Sequence, residues 1–428
     1  MTRKQILIII AGIVAILIVI LLFGLTKSPR PKAAYLEVWG VFDEPEVFQE
    51  LIENYHKQNK HISINYQKKS LIDYEKELVN AFAADKGPDI WLMHNTWLPK
   101  HKDKIKEIPS ELFSLANLRE SFVDVVEKDL TDGNKIYGLP LYVDTLALFY
   151  NKDLLNSAGI SSPPETWEEL IDDLDKLIRR DQWGGIERAG VALGTAENIN
   201  RSTDILSLLM LQNGTEMVSE DKKSASFDQS IHLEGESYYP GQDALRFYTD
   251  FANSSKKTYT WNREMPYSID AFTEGKVAMM FNYSHNIDSI KAKAPYFNFA
   301  IASMPQIEGR KFDINYANYW AFTVSKKSKA VDEAWKFILY LTKEENAKKY
   351  SEKAKRPTSR RDLIDWQKQD LELGVFARQS LTAQNWYQAD SNAIETIFAN
   401  AIESVVLGSA TVKKAIETAV NQITLLMK

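Results

Sequence analysis

Two stretches concentrate side chains suited to recognition. Asn315-Tyr316-Ala317-Asn318-Tyr319-Trp320 is the densest run of aromatics and amides in the chain, and Asn385-Trp386-Tyr387-Gln388, followed by Asp390, is its nearest rival. Aromatic faces pack on flat patches of C–H, while Asn, Asp and Arg make directional hydrogen bonds to hydroxyls. Bond-making chemistry is thinly provided for. There is no His-Glu-x-x-His, no Gly-x-Ser-x-Gly and no phosphate loop. The six histidines, His56, His61, His94, His101, His232 and His285, show no metal-ligand spacing. Asp132-Gly133-Asn134 reads as a hairpin turn, because no calcium-loop pattern of acids surrounds it. Cysteine is absent, which excludes disulfides, zinc ribbons, iron–sulfur ligation, thiol catalysis and a lipid-modified N-terminal cysteine. No catalytic residue, metal or cofactor is expected.

The elements that must hold these residues alternate in type. A length of 428 residues predicts two or three domains, and 44% hydrophobic residues supply sizeable cores. A net charge of −6 offers no excess of basic groups to displace counterions, which argues against a nucleic-acid partner. Leu36 and Val38 alternate in a strand ending at Trp39-Gly40; helix-spaced Val47, Phe48, Leu51, Ile52 and Tyr55 follow. Ile62, Ile64 and Tyr66 repeat at period two. A polar helical stretch from Asp73 to Ala84 then leads to a strand at Asp89–Met93. This order predicts a parallel sheet flanked by helices, with ligands at the carboxyl ends of the strands, on the loops Trp39–Glu44 and Met93–Trp97. A second run begins after Tyr137-Gly138-Leu139-Pro140. In it Thr166 and Glu169 have capping-box spacing before the apolar stripe Trp167, Leu170, Ile171, Leu174, Leu177 and Ile178. Trp167 and Trp335 are read as core, residues 214–240 as a polar surface excursion, and the last hundred residues as almost all helical.

The first residues are different material. From Ile6 to Leu25 twenty residues carry no charge or strong polar group, a helical length of ~30 Å, the thickness of a bilayer's hydrocarbon core. That is longer than a signal peptide's apolar stretch, and no small-x-small cleavage site follows. Residues 1–25 are read as an uncleaved transmembrane anchor, with a signal peptide cut at an atypical site as the alternative, and residues 26–34 as a Pro-containing cationic linker. Flanking charges are nearly balanced, so orientation rests on the short N-terminal tail, which favours the body outside. Five Lys or Arg and no acid lie in the first 32 residues, which leaves the body at −11.

A chain of short blocks carries a resemblance. Leu36-Glu37-Val38-Trp39-Gly40, Lys86-Gly87-Pro88-Asp89-Ile90, Tyr137-Gly138-Leu139-Pro140-Leu141-Tyr142 and Leu148-Phe149-Tyr150-Asn151-Lys152-Asp153 come first. Glu165-Thr166-Trp167-Glu168-Glu169-Leu170, Phe272-Thr273-Glu274-Gly275-Lys276-Val277 and Ala334-Trp335-Lys336-Phe337-Ile338 follow. In this order and spacing, residues 35–428 resemble the extracellular solute-binding proteins of ABC importers, in the carbohydrate-binding branch. The resemblance implies a two-lobe α/β fold of the type II periplasmic-binding-protein kind behind the transmembrane helix. The N-terminal lobe would take 35–143 and 297–358 and the C-terminal lobe 144–296 and 359–428, with crossings near 142–146, 294–299 and 355–361. It implies a small-molecule solute, with carbohydrate the leading class, held between closing lobes. The partners would be an ABC permease and, through the N-terminal helix, the lipid bilayer. The body would lie on the extracytoplasmic side of the cell membrane.

On that fold the expected ligand contacts are Phe42 and Asp43 on the first loop, Asn95 and Trp97 on the second, and Tyr142 and Asp144 at the first crossing. Asn198, Asn200, Asn282 and Tyr283 would come from the second lobe, and Asn318, Tyr319, Trp386 and Tyr387 from the two aromatic–amide runs. Asp43 reads equally as a helix cap, Arg356 and Arg360 as supports of a crossing, and only one or two of Tyr316, Tyr319 and Trp320 can face a cleft. Three alternatives share these residues: a peptide or polyol receptor, a binding body reporting to a membrane sensor, and a membrane-anchored carbohydrate hydrolase. The last stays open because paired distant carboxylates obey no local spacing rule.

Overall fold

The computed structural model describes residues 2–25, 33–233 and 235–428, without the side chains of 17–25 and 233. Most of the expected linker, residues 26–32, lies outside the described residues. The N-terminal run forms one helix, Arg3–Leu25. Among the described residues no helix is long and apolar enough to cross a membrane. The spanning role expected of Ile6–Leu25 is therefore not established by the structure, because the side chains described in that helix end at residue 16.

The body has two hydrophobic cores, each built on a five-stranded sheet. In the first sheet Ala34–Gly40 lies parallel to Ile62–Lys68, with Leu36 opposite Ile64 and Val38 opposite Tyr66. It also lies parallel to Ile90–His94. Helix Pro45–Gln58 connects the first two of these strands. Its proline suits the first turn, where a missing N–H costs nothing, and it buries Phe48, Leu51 and Tyr55. Trp320–Val324 then runs antiparallel to Ile90–His94, Trp320 opposite His94, and Leu139–Pro140 closes the edge. The second sheet is ordered Phe299–Ala302, Ala147–Asn151, Val277–Asn282, Ile186–Val191, Arg179–Arg180. Helix Trp167–Leu177 covers it with Trp167, Leu170, Leu174 and Leu177 buried. Thr166 Oγ1 caps Glu169 N at 3.1 Å, and Glu169 Oε2 reaches back to Glu165 N at 2.7 Å, one residue beyond a standard box.

A third, three-stranded sheet joins the two cores: Ala383–Gln384, Asn315–Asn318 and Asp144–Thr145. Tyr316 packs into the second core and Ala317 into the first, so the chain changes lobes between them. This corrects the expected second crossing near 294–299. Phe299–Ala302 pairs with Ala147–Asn151, and Phe299 stacks on Phe149 at 6.2 Å, which commits that strand to the second lobe. The third passage also comes later than 355–361, since Ile364 still packs in the first core and Leu373 is the next buried residue in the second. The polar stretch 214–240 contains a hairpin, Ile231–Leu233 with Glu236–Tyr238.

Candidate ligand-binding cleft

A cavity of about 480 Å³ lies between the two cores, with the three-stranded sheet at its base. The wall from the first lobe is aromatic. Trp320 begins the strand after the hinge sheet and is met edge-on by Trp97 at 4.9 Å, His94 at 5.3 Å and Phe42 at 5.4 Å. Each such edge contact contributes ~1 kcal/mol beyond area burial, so the wall is a rigid apolar surface. His94 completes it with polar atoms: Nε2 lies 3.3 Å from Asn318 Oδ1 and Nδ1 2.7 Å from Thr96 Oγ1. Burial and the Arg201 guanidinium push its pKa down to about 4. The imidazole is neutral at pH 7, and its network assigns the proton to Nε2.

The opposite wall is charged. Arg201 precedes helix Ser202–Gln212 in a left-handed conformation, φ +59°, costly for a residue with a Cβ. Its Nε and Nη2 both donate to Asp204 Oδ2, at 2.8 and 2.7 Å, and Tyr283 OH donates to the same oxygen at 2.6 Å. The carboxylate of Asp204 heads the neighbours that raise the pKa of Arg201, and the guanidinium stays charged. At the base, Asp144 is 1% exposed and fully engaged. Oδ1 accepts from Thr145 N (2.9 Å) and Ser284 N (3.1 Å), Oδ2 from Ser284 Oγ (2.8 Å), and His285 Nδ1 lies 3.6 Å away. Arg356 lies over the rings of Tyr142 (5.3 Å) and Phe42 (5.8 Å) and approaches Asp43 Oδ1 only to 3.8 Å; its buried Nε has no partner among the described residues. The site can therefore offer hydroxyl groups both donors and acceptors beside an apolar wall. Among the described residues no group of three or more His, Asp or Glu could hold a metal ion.

A polar clasp spans the lobes at the rim. Lys100 Nζ lies 2.9 Å from Glu75 Oε1 on the first lobe and 2.9 Å from Asp390 Oδ2, the cap of helix Ser391–Val406, on the second. Asn392 Nδ2 donates to Glu75 Oε2 at 3.1 Å. Hydrogen bonds from His101 and Lys100 hold the Glu75 pKa at about 2.

Comparison with known proteins decides the family. The sequence profile described as bacterial extracellular solute-binding protein matches residues 40–348. The chain belongs to that family. This solute-binding protein is 22% identical to the galactooligosaccharide-binding protein of Bacillus subtilis over 402 residues, 91% of this chain and 88% of the relative. It is 23% identical to the maltotriose-binding protein of Pyrococcus abyssi over 308 residues, 70% of this chain and 60% of that one. Among solved structures, the sugar-binding protein MalE of Xanthomonas citri aligns with TM-score 0.75 at 22% identity, covering 92% of this chain and 97% of that one. The cyclic alpha-maltosyl-1,6-maltose binding protein of Arthrobacter globiformis aligns with TM-score 0.77 at 18% identity, covering 92% and 99%. These likenesses establish the two-lobe fold of the body.

The expected contact residues distribute unevenly over this solute-binding protein. Phe42, Trp97, Tyr142, Asp144 and Asn318 line the cleft. Asp43 is neither cleft-lining nor a cap: Glu44 holds the N-cap position, without a side-chain hydrogen bond, and buried Asp43 accepts from Tyr350 OH at 2.7 Å, its pKa raised by burial. Asn95 turns away to Asp129, with Nδ2 donating to Oδ2 at 2.7 Å. Tyr319 turns the same way, its hydroxyl donating to Asp129 Oδ2 at 3.0 Å. Asn198 is occupied by the backbone carbonyls of Asn262 and Met265 and by Trp261 Nε1. Asn200 and Asn282 bond each other at 3.0 Å, and Tyr283 is buried behind Asp204. Trp386 and Tyr387 line a neighbouring cavity instead. The cleft adds Asp204, Ser207, Glu75 and Glu395, which were not singled out. Asp204 lies one helical turn after Arg201, a spacing that pairs opposite charges; nothing local marks Glu75.

Proposed function

We propose that this solute-binding protein is a membrane-tethered extracytoplasmic receptor that captures a saccharide between its lobes and delivers it to an ABC permease. The observation that carries the ligand class is the cleft itself. The edge-packed wall of Trp320, Trp97 and Phe42 offers apolar ring surface, and Arg201, Asp204 and Asn318 face it with donors and acceptors. The relatives that bind galactooligosaccharides and maltotriose by name support the same class. Closure follows from contact with both walls: a ligand that touches both lobes binds the closed form preferentially and shifts the population toward it.

The tethering rests on the uncharged run Ile6–Leu25 within the continuous helix Arg3–Leu25 and on the absence of any cysteine to carry a lipid. The non-enzymatic assignment rests on the engagement of the cleft carboxylates: Asp144 and Asp204 are held by several donors each, a poor arrangement for proton transfer.

Thermal unfolding of the full-length protein against gluco-, galacto- and manno-oligosaccharides, polyols and peptides tests the reading, since a ligand bound only by the folded state raises the melting temperature. Saccharide-specific stabilisation is expected. Stabilisation by a peptide and by no saccharide refutes the ligand class, and release of reducing sugar refutes the non-enzymatic assignment.

A further inference from the structure

A second cavity of about 310 Å³ adjoins the cleft and shares Thr96, Asn385 and Gln388 with it. Two consecutive aromatics, Trp386 and Tyr387, form part of its wall, and Asp129 of helix Asp124–Leu130 forms another part. Only one oxygen of that carboxyl is used. Oδ2 accepts from Asn95 Nδ2 and Tyr319 OH, whereas among the described residues Oδ1 has no hydrogen-bond partner. Thr215, also on the wall and 7% exposed, has a buried hydroxyl without a partner among the described residues. Tyr387 is half-buried, and Lys222 Nζ lies over its ring at 5.3 Å. Lys222 holds that position from a left-handed backbone, φ +57°, in a turn tied by Asp221 Oδ1 to Lys223 N and to Ser219 Oγ. A non-glycine residue kept in that region marks a turn over-determined by its surroundings.

We propose that this chamber is a second saccharide subsite, taking the terminal ring of an oligosaccharide whose other rings lie in the main cleft. Asp129 Oδ1 hydrogen-bonds a ring hydroxyl there, donating when the carboxyl is protonated and accepting when it is ionised, and Tyr387 supplies apolar ring surface. The inference rests on the saccharide reading above and adds a ligand length to it. Chemistry on the wall favours a polyhydroxylated ring. The residues shared with the main cleft present a hydroxyl and two amides, groups suited to ring hydroxyls. A purely apolar ligand would leave the Asp129 carboxyl unpaired, which is unfavourable in a confined site.

The test uses calorimetry on the full-length protein with gluco-, galacto- and manno-oligosaccharides of one to six units. Affinity is expected to rise with length until a ring enters the chamber. Tyr387→Ala is then expected to weaken the longest binder by about tenfold, the usual cost of truncating an aromatic anchor, and to leave the shortest binder within about twofold. Asp129→Asn keeps an oxygen for Asn95 and Tyr319 but leaves only a donor at the second position, and is expected to act with the same selectivity at pH 8, where the wild-type carboxyl is ionised. Equal weakening of short and long ligands would assign both residues to structure and overturn the subsite. Affinity that does not rise with length would also overturn it, while leaving saccharide binding intact. Failure of every saccharide would overturn the underlying reading as well.

Discussion

Asp129 gives the sharpest stability prediction, independent of any ligand. Burial raises its carboxyl from 3.8 to about 7 despite the donors Asn95 and Tyr319. At ~1.4 kcal/mol per unit of pKa, that difference amounts to ~4 kcal/mol. The sign follows from proton counting. Between pH 4 and 7 the unfolded chain has released this proton and the folded chain has kept it, so stability falls as pH rises through that window and is level above it. Asp129→Asn removes the titration. Urea unfolding of both proteins from pH 4 to pH 8 is therefore expected to show the variant gaining on the wild type by ~4 kcal/mol across the window. Other carboxylates cancel in the difference. Parallel stability curves for the two proteins, or a gap that opens in the opposite direction, would refute the burial argument.

Other perturbations probe the cleft, the clasp and the tether. Lys100→Met cuts the bridge from Glu75 to Asp390 and is expected to weaken ligand binding about fivefold by favouring the open form. Its effect should shrink in high salt, because the pair is half-exposed; an effect that persists at 1 M salt counts against a clasp. Asp144→Ala orphans Ser284 N and Thr145 N and is expected to lower stability by ~2–3 kcal/mol as well as affinity, read by urea unfolding and calorimetry. Ile13→Lys with Ile16→Lys adds ~3 kcal/mol per charge at the centre of the N-terminal helix; fractionation is expected to move the protein from membrane to supernatant. Retention in the membrane fraction would contradict the tether.

The parts of this fold that were legible in sequence are those written in local pattern. Period-two strands, the proline at the start of Pro45–Gln58 and the Thr166 cap lie within a few residues of what they determine. Phe42, Trp97 and Asp144 were accessible because a parallel sheet puts such loops at one edge. The misplacements share a different cause. Tyr319 and Trp320 are neighbours with opposite directions, and only a distant partner, Asp129, decides which one turns inward. Asn198 and Asn282 look like free amides until their partners, the Asn262 carbonyl and the Asn200 amide donor, are folded against them. The second crossing was misplaced because Phe299–Ala302 finds its sheet through Phe149, a contact across 150 residues that no window along the chain contains.

The hinge sheet also sets the mechanics of the molecule. Three strands from separate parts of the chain, Asp144–Thr145, Asn315–Asn318 and Ala383–Gln384, are laced side by side by backbone hydrogen bonds. One strand would act as a swivel; three laced strands behave as a leaf spring, stiff against torsion and shear and compliant only in flexure. The two lobes then open and shut along a single arc, and a ligand selects a position on that arc instead of an arbitrary relative pose. A guest too thick for the cleft would stop the arc early and hold the Lys100 bridge apart, so ligand thickness sets how far the rim can close.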